Sequence, residues 1–338
     1  MTSKKTLLKK QLVIASVILM ITVVCFFFLP GINTASKTTH LTIHRGMSFV
    51  RIVGELYRNQ AIKNKWSTFI TGRIIFQLQN IKPGRYSIPP GMSNFMLLYY
   101  LHTQKLDEVR VTLPEGINFK KAASILSKKL DFDSTGFIVA ASSSHLLRKF
   151  RIKAKNVEGY LFPGTYNFAW SDSPEEVAGF LISRFRKFYS DKLKTSSVKA
   201  GLNETELLII ASIVEAETPL DREKPLVASV YFNRLKKYMR LQADPTIQYA
   251  LDRTTARRLY YSDLTIDSPY NTYRYNGLPP GPICNPGSAS ILAVLQPADT
   301  RFLYFVATGT GGHNFSESLK EHQKNIIKYK RARTAILR

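Results

Sequence analysis

The sequence has little cysteine, little negative charge and no cluster of metal-ligating side chains. Only two of its 338 residues are cysteine, which excludes a disulfide framework and a cysteine-based metal centre. The six histidines are scattered, so we expect no zinc site and no cofactor. The 24 aspartates and glutamates are outnumbered by 48 lysines and arginines, which gives a formal net charge of +24. A charge of this sign attracts polyanions.

One long hydrophobic run occurs, at the N-terminus. Residues 11–29 carry no charge, and a helix of that length spans a bilayer core of about 30 Å. The competing interpretations are a cleaved signal peptide, whose apolar region usually has about 7 to 15 residues, and a buried core helix. Four lysines precede the run, which favours a cytoplasmic N-terminus. The sequence therefore predicts a single-pass protein of the cytoplasmic (inner) membrane, with everything after Leu29 outside.

The excess of basic residues indicates either an anionic binding partner or a surface whose charge serves only solubility. We expect no nucleic acid partner, because no stretch interleaves aromatic and basic residues as a nucleic-acid module does. Peptidoglycan, which carries peptide carboxylates, is a polyanion outside the membrane. Solvated lysines and arginines that only confer solubility are the alternative, and it stays open.

Three segments in the first part of the chain share a strand, a turn and a helix. Each has a strand-like stretch, then Gly, an apolar residue, and Ser or Asn before an amphipathic stretch. The segments are HRGMSFVRIVGELYRN (44–59), PPGMSNFMLLYYLHTQ (89–104) and PEGINFKKAASILSKK (114–129). Ser48, Ser93 and Asn118 are predicted helix N-caps, because their side chains can accept from free backbone N–H groups. The units are too few for a solenoid, so the sequence predicts a small α+β module.

The stretch NETELLIIASIVEAET (203–218) predicts a further helix, which places a carboxylate among apolar residues. Asn203 is its predicted N-cap. Glu215 follows three apolar turns, near the C-terminus of the helix, where the dipole disfavours an anion. Ser212 and Ala211 lie one turn before it on the same face. Such small residues leave a hollow beside the carboxyl group.

Two interpretations of Glu215 remain open on these grounds. A carboxyl group half buried among apolar side chains has a raised pKa and keeps its proton, as a general acid must. Alternatively, Glu215 is a solvated carboxylate at a fraying helix end, or is paired with a lysine or arginine. Glu217 lies about 200° further around the helix, so the two acids cannot serve one site.

Polar and aromatic loops follow this helix. LQADPTIQYAL predicts a helix with Asp244 as N-cap and Pro245 in its first turn. The loop SPYNTYRYNG contains Asn271 and Tyr273. Tyrosine and asparagine line sugar-binding clefts, but ordinary loops use them as well. FLYFVATGTGGHNFS predicts a hairpin with a Gly-rich turn.

Many of these stretches together resemble one family. ASIVEAET, VASVYFNRL, LQADPTIQYAL, SPYNTY, GLPPGPI, NPG and YFVATGTGGHNFSESLKEH, with VEGYLFPGTY and PEG upstream, are similar in sequence and order to the endolytic murein transglycosylases, the MltG or YceG-like family. The resemblance implies a membrane-anchored lyase that cuts the MurNAc–GlcNAc β-1,4 bond within nascent glycan strands. The implied product carries a 1,6-anhydro-MurNAc end, and the cleavage would end strand elongation.

The resemblance also implies roles for individual residues. The catalytic acid would be Glu215, which would protonate the leaving oxygen and then help the C6 hydroxyl attack C1. A single carboxyl group can suffice, since intramolecular attack needs no activated water. Gln242, Asn271 and Tyr273 match family positions near this motif, and we assign them to glycan positioning. Peptidoglycan synthases in the membrane are implied partners.

The predicted organisation follows from the same resemblance. It comprises a cytoplasmic tail (1–10), a transmembrane helix (11–29), a LysM-like module (30–130), a connecting segment (131–200) and a mixed α+β catalytic domain (201–338). Two positions depart from the family: Gly164 stands where an acid is common, and Cys284 where a small alanine is usual. The alternatives are a wall-binding scaffold without activity and a hydrolytic muramidase, which would need a second acid near Glu215.

Overall fold

The computed structural model of the chain describes residues 2–28, 35, 37–104, 107–252 and 259–336. Short helices and strands intermix along the chain, and the described strands form three two-stranded sheets, β1–β2, β3–β4 and β5–β6. The predicted α+β class is confirmed. The strands are β1 Thr39–Ile43, β2 Gly84–Ile88, β3 Glu108–Leu113, β4 Gly164–Ala169, β5 Tyr304–Ala307 and β6 His313–Ser316.

The helices are mostly short, and the N-terminal one is the longest. They are α1 Thr2–Phe28, α2 Phe49–Arg58, α3 Lys65–Ile74, α4 Asn94–Thr103, α5 Phe119–Ser127, α6 Ser134–Ala141, α7 Ser144–Lys149, α8 Pro174–Phe188, α9 Lys194–Lys199, α10 Glu204–Glu217, α11 Lys224–Lys236, α12 Asp244–Ala250, α13 Ser288–Leu295 and α14 Leu319–Ile336.

Helix α1 covers most of the predicted membrane span, whose last residue, Leu29, lies outside the described residues. Among the residues that the structure describes, no helix combines the length and the apolarity needed to cross a membrane. The transmembrane assignment of 11–29 therefore stays a prediction.

The chain divides into two compact units. The first is Met1–Val109 with Asn167–Asp172, and the second is Arg110–Tyr166 with Ser173–Arg338. These limits differ from the predicted segments: residues 110–130, which we assigned to the LysM-like module, lie in the second unit. The LysM-like assignment and the predicted boundaries stay predictions.

The three predicted strand–turn–helix units are confirmed at the level of backbone geometry. Ser48, Ser93 and Asn118 cap α2, α4 and α5, each accepting from a backbone N–H three residues later. The preceding glycines all have positive φ, of 80°, 79° and 74° for Gly46, Gly91 and Gly116. Glycine suits this left-handed turn because it has no Cβ to clash with the backbone.

The first unit has its own hydrophobic core. Strands β1 and β2 pair antiparallel, with Leu41 opposite Tyr86. Alternate residues of these strands point inward, as a sheet with one buried face requires. They pack with the apolar faces of α2 and α4, which supply Ile52, Val53, Leu56, Leu97, Leu98 and Leu101.

In the second unit, α10 lies at the centre. Its residues from Leu207 to Val214 are all buried, and it contacts α11, α12 and α13. The predicted cap at Asn203 is confirmed, and the Glu206 side chain accepts a reciprocal hydrogen bond from the Asn203 N–H. The predicted cap at Asp244 is wrong by one residue: Ala243 is the N-cap of α12, because the Asp244 carboxylate is taken by the Tyr273 hydroxyl.

The predicted hairpin near the C-terminus is also confirmed. Strands β5 and β6 pair antiparallel across the Gly-rich turn, with Phe305 opposite Phe315. Helix α14 contacts both strands. Residues of both strands and of α14 line the cavity that is described below for Glu217.

Candidate active site

Glu215 lies in the last turn of α10, and its side chain is only 8% exposed. Its Oε2 accepts hydrogen bonds from the Gly287 N–H at 2.9 Å and from the Ser290 hydroxyl at 2.6 Å. Gly287 is the N-cap of α13, and Ser290 lies in the first turn of that helix. The positive end of the α13 dipole therefore faces a carboxylate that the C-terminal end of its own helix disfavours.

A buried lysine shares the same oxygen. Lys224 Nζ lies 3.5 Å from Glu215 Oε2 and 2.9 Å from Asp221 Oδ1, and its side chain is 2% exposed. Burial lowers the pKa of Lys224, but the hydrogen bond to Asp221 and the charges of Glu215 and Asp221 outweigh it, so the pKa is raised. The paired-carboxylate interpretation thus holds for Glu215, and pairing by itself does not separate a catalytic from a structural role.

A second carboxyl group lies beside Glu215. It belongs to Glu115, just before the turn glycine of the third strand–turn–helix unit. A Cβ built at Gly116 would lie 3.5 Å from Glu215 Cγ, and one at Gly287 would overlap the Glu115 carboxyl group. The pKa of Glu115 is raised by partial burial and by the negative charge of Glu215.

Backbone and side-chain bonds hold this turn against the rest of the site. Gly116 N–H donates to the Asn285 carbonyl, and Asn285 N–H donates to the Ile117 carbonyl, both at 2.9 Å. Glu158, which is 3% exposed, accepts from Phe119 N–H at 2.9 Å and from Asn285 Nδ2 at 3.2 Å. Burial raises the pKa of Glu158 to about 8, although the Phe119 N–H bond lowers it. The raised pKa favours the protonated, uncharged form of Glu158, and its Oε1 holds the turn through the two hydrogen bonds that it accepts.

Glu217 has different surroundings, as the helical spacing predicts. Its Oε1 accepts from the Tyr231 hydroxyl at 2.6 Å. Burial raises its pKa to about 7, the Tyr231 hydrogen bond lowers it and the charge of Asp244 raises it. Glu217 lines a cavity of about 440 Å³ together with Gln242, Asp244 and Tyr273.

The predicted glycan-positioning residues therefore do not gather around Glu215. Gln242 and Tyr273 line the cavity of Glu217. Asn271 is fully buried: its Nδ2 donates to the carbonyls of Leu264 and Ile266, and its Oδ1 accepts from the Tyr273 N–H. Asn271 thus orders the loop that carries Tyr273, and its amide has its hydrogen bonds within that loop.

A second cavity, of about 230 Å³, lies at the end of α10. Gly116, Ala216 and Pro245 are among the residues that line it. Glu217 and Asp244 line the larger cavity, and each is the chain neighbour of a residue that lines the smaller one. Residues at the end of α10 and at the start of α12 thus line both cavities.

Sequence reasoning missed four contributors to the site. Glu115, Lys224, Gly287 and Ser290 all contact or face Glu215. The stretches PEG and NPG match the family, but the sequence by itself assigns them no role. The role of Lys224 could not be predicted from the sequence, since nothing in its local sequence distinguishes it from a solvated lysine.

The two departures from the family have local explanations. Cys284 is buried, and its Sγ lies 3.3 Å from the Ser212 carbonyl of α10, so it packs against the helix that carries Glu215. Gly164 has φ of 151°, and a Cβ there would lie 2.9 Å from the Tyr166 hydroxyl. Glycine at 164 leaves room for that ring.

Comparison with known proteins gives the family. The model of the YceG-like family matches residues 41–328, which include both carboxylates and all the residues that surround them. The chain belongs to the YceG-like family. The predicted family membership is thus confirmed.

Named relatives support this assignment over most of the chain. An endolytic murein transglycosylase of Bacillus subtilis is 33% identical over 89% of this chain and 88% of its own length. Another, from Streptococcus pneumoniae, is 30% identical over 74% of this chain and 51% of its own length. A solved YceG-like protein from Listeria monocytogenes superposes with a TM-score of 0.59 at 29% identity, over 86% of this chain and 99% of that structure.

Proposed function

We propose that this YceG-like protein is an endolytic murein transglycosylase. It would cut the MurNAc–GlcNAc β-1,4 bond within a glycan strand and leave a 1,6-anhydro-MurNAc end. The relatives that carry this name are 30–33% identical to it. The observation that carries the proposal is Glu215, a nearly buried carboxyl group with hydrogen-bond donors fixed on one oxygen. It lies beside Gly116, which lines a cavity of about 230 Å³.

The geometry supports one proton-transfer sequence. Once it has bound a proton, Glu215 gives that proton to the glycosidic oxygen as the bond to C1 breaks. The resulting carboxylate then takes the proton of the C6 hydroxyl, whose oxygen forms the new bond to C1, so the acid is regenerated and no water is consumed. The Gly287 N–H, the Ser290 hydroxyl and Lys224 stabilise the carboxylate stage by hydrogen bonding and charge. Because these donors are already in place, no reorganisation accompanies the proton transfer.

The position of Glu115 supports a second candidate function, that of a hydrolytic muramidase. Hydrolases of this class use two carboxyl groups across the bond, one as acid and one as base or nucleophile. Glu115 supplies a second carboxyl group beside Glu215, and its raised pKa fits a group that exchanges protons. Only the chemistry of the product separates the two reactions.

The proposal extends to location. Apolar side chains of α1 from Leu12 to Val24 are between 45% and 65% exposed, so they need an apolar cover. Together with the uncharged run of residues 11–29, this supports a single-pass anchor in the cytoplasmic membrane with the second unit outside. An enzyme held there would meet nascent strands, end their elongation and lie close to the peptidoglycan synthases that the family resemblance implies as partners.

Mass spectrometry of treated glycan strands tests the reaction. The full chain in detergent should produce anhydro-MurNAc ends. Glu215→Gln should lower the rate by about 10²- to 10⁴-fold, the usual contribution of a general acid–base group. Reducing ends from the wild type would replace the lyase with the muramidase.

Glu217→Gln is the matched control, because it removes a carboxyl group from the same turn of α10 but from the other side of the helix. It should retain anhydro-end formation. Loss of cleavage in Glu217→Gln, with activity kept in Glu215→Gln, would move the acid to Glu217. Glycan binding without cleavage by the wild type would support the scaffold instead.

A further inference from the structure

Helix α3 in the first unit has its amphipathicity reversed. It buries its small and polar residues, Ser67, Thr68, Thr71 and Gly72. It exposes Trp66, Ile70 and Ile74, which lie one turn apart on one face, and the apolar surface continues at Phe76. Exposure is 64% for Trp66, 65% for Ile74 and 76% for Phe76. We call Trp66, Ile70, Ile74 and Phe76 the α3 stripe; a helix packed on a core in water has the opposite arrangement.

The packing of α3 fixes this orientation. The Thr68 hydroxyl donates to Asn94 Oδ1 of α4 at 2.9 Å in a buried position. A Cβ at Gly72 would overlap the ring of Phe49, so only glycine lets α2 and α3 approach this closely. The helix cannot turn to bury the α3 stripe without losing both contacts.

The charge around the stripe has one sign. No aspartate or glutamate occurs between Glu55 and Asp107. Exposed Lys63, Lys65 and Arg73 flank the stripe. An apolar groove of about 380 Å³, lined by residues that include Val50 and Trp66, extends the surface. Tryptophan with aliphatic residues between basic ones is the composition of a segment that lies at the surface of an anionic bilayer.

The stripe also lies close to the proposed anchor. Ala35 is tied to the first unit, because its N–H donates to the Ala61 carbonyl at 3.0 Å and its carbonyl accepts from Gly91 N–H at 3.3 Å. Seven residues of chain from Phe28 can reach at most about 25 Å. Helix α1 contacts α3 and α4 within the same unit. A membrane that holds α1 therefore comes within reach of the α3 stripe.

We propose that the α3 stripe docks on the outer surface of the membrane, with Trp66 at the level of the headgroups of anionic phospholipids and the flanking cations on their phosphates. The inference rests on the proposed membrane anchoring. Docking would fix the first unit on the bilayer. A face of isoleucine and phenylalanine suits acyl chains, whereas sugar rings are usually bound by tyrosine, tryptophan and amide side chains.

The two tryptophans of the chain make the test direct. Trp170 is 6% exposed, so Trp66 is the residue that an external quencher can reach. The full chain is reconstituted in vesicles of phosphatidylcholine and phosphatidylglycerol, separated by flotation, and its emission is compared with and without lipids brominated near the headgroup. The wild type should show a blue shift and quenching that Trp66→Phe does not show.

Two variants sharpen the test. Ile74→Glu should lose the quenching, because it places a negative charge within the stripe. Val139→Glu changes an equally exposed apolar residue, 65% exposed on α6 of the second unit, and should leave the quenching unchanged.

The outcomes separate docking from anchoring. A chain that floats with the vesicles while Trp66 stays unquenched overturns the docking and leaves the anchoring intact. A chain that does not float overturns both. A change in Trp66 emission on adding soluble glycan strands, without a response to brominated lipid, would assign the stripe to glycan and also overturn the docking.

Discussion

The three strand–turn–helix units share one local structure but have different surroundings. In the first unit, a Cβ added at Gly46 or Gly91 would meet nothing within 4 Å. In the second unit, Gly116 has nearly the same φ, yet a Cβ there would lie 3.5 Å from Glu215 Cγ. The same turn that only joins a strand to a helix in two copies thus forms a wall of the candidate active site in the third.

The residue before the glycine shows the same contrast. In the first strand–turn–helix unit this residue is Arg45, which donates to the Ser171 carbonyl at 3.0 Å. In the second strand–turn–helix unit it is Pro90, and in the third it is Glu115, which lies beside Glu215. A shared local fold therefore sets where these side chains stand, and the elements packed against the turn set what they can do. Four experiments probe this difference.

The largest expected effect comes from separating the third turn from α13. Gly287→Ala places a Cβ in the space of the Glu115 carboxyl group, so the two groups must move apart and the hydrogen bond from the Gly287 N–H to Glu215 should weaken. Losing a hydrogen bond to a charged group costs about 1.5–3 kcal/mol, which corresponds to roughly a 10- to 100-fold loss in kcat/KM. Steady-state kinetics on glycan strands measures it.

Gly54→Ala is the matched control, since a Cβ at Gly54 meets nothing within 4 Å and alanine favours its helix. Equal activity of Gly287→Ala and wild type would show that the α13 N-terminus does not matter to Glu215.

The next experiment changes the turn glycine in each of the three strand–turn–helix units. Ala at Gly116, Gly46 or Gly91 should each cost about 1–2 kcal/mol of stability, because all three glycines have left-handed φ angles. Only Gly116→Ala should also lower the rate of glycan cleavage, since only that Cβ approaches Glu215. Thermal unfolding and kinetics of the three variants separate strain from catalysis. A matching loss of activity in Gly46→Ala would contradict the comparison.

Glu115→Gln should have a smaller effect on rate and a distinct effect on pH dependence. The carboxyl pKa of Glu115 is raised by burial and by Glu215, so the wild type should show an inflection in kcat/KM where Glu115 loses its proton as pH rises. The glutamine variant should lack that inflection and still form anhydro ends. If Glu115→Gln abolished cleavage, the two-carboxylate hydrolase would gain support.

The smallest effect on the rate of glycan cleavage is expected for Glu158, which holds the turn of the third strand–turn–helix unit. Its folded pKa of about 8 lies above its ordinary value of 4.5, so the folded state binds this proton more tightly than the unfolded state. The stabilisation is complete at pH values below 4.5 and declines as pH rises toward 8. The melting temperature of the wild type should therefore fall over this range more steeply than that of Glu158→Gln, which keeps the uncharged form. Parallel slopes would contradict the assignment.

Much of the local structure could be predicted from the sequence. The caps at Ser48, Ser93 and Asn118 depend on side chains that bond to backbone three residues away, so a short window contains both partners. The cap at Asp244 failed because its carboxylate bonds to Tyr273, 29 residues further on. A capping rule that considers only neighbouring residues cannot predict a hydrogen-bond donor that comes from another loop.

Predictions for the site were likewise correct only where they depended on residues close together in the sequence. Glu215 stood out because a carboxylate at that point of an apolar helix is locally unfavourable. The placement of Gln242 and Tyr273 on the cavity of Glu217, and the burial of Asn271, could not be read from spacing. They depend on how the loops after α11 fold back on the helix.

The sequence by itself determined the helices, the turns, the family and the odd position of Glu215, since each of these depends on neighbours along the chain or on whole motifs. Only the tertiary structure decided what surrounds that carboxyl group. Glu115, Lys224 and Gly287 meet Glu215 from other elements, at separations of 100, 9 and 72 residues. Electrostatic and hydrogen-bond energies depend on distance in space, and distance in space is set by packing.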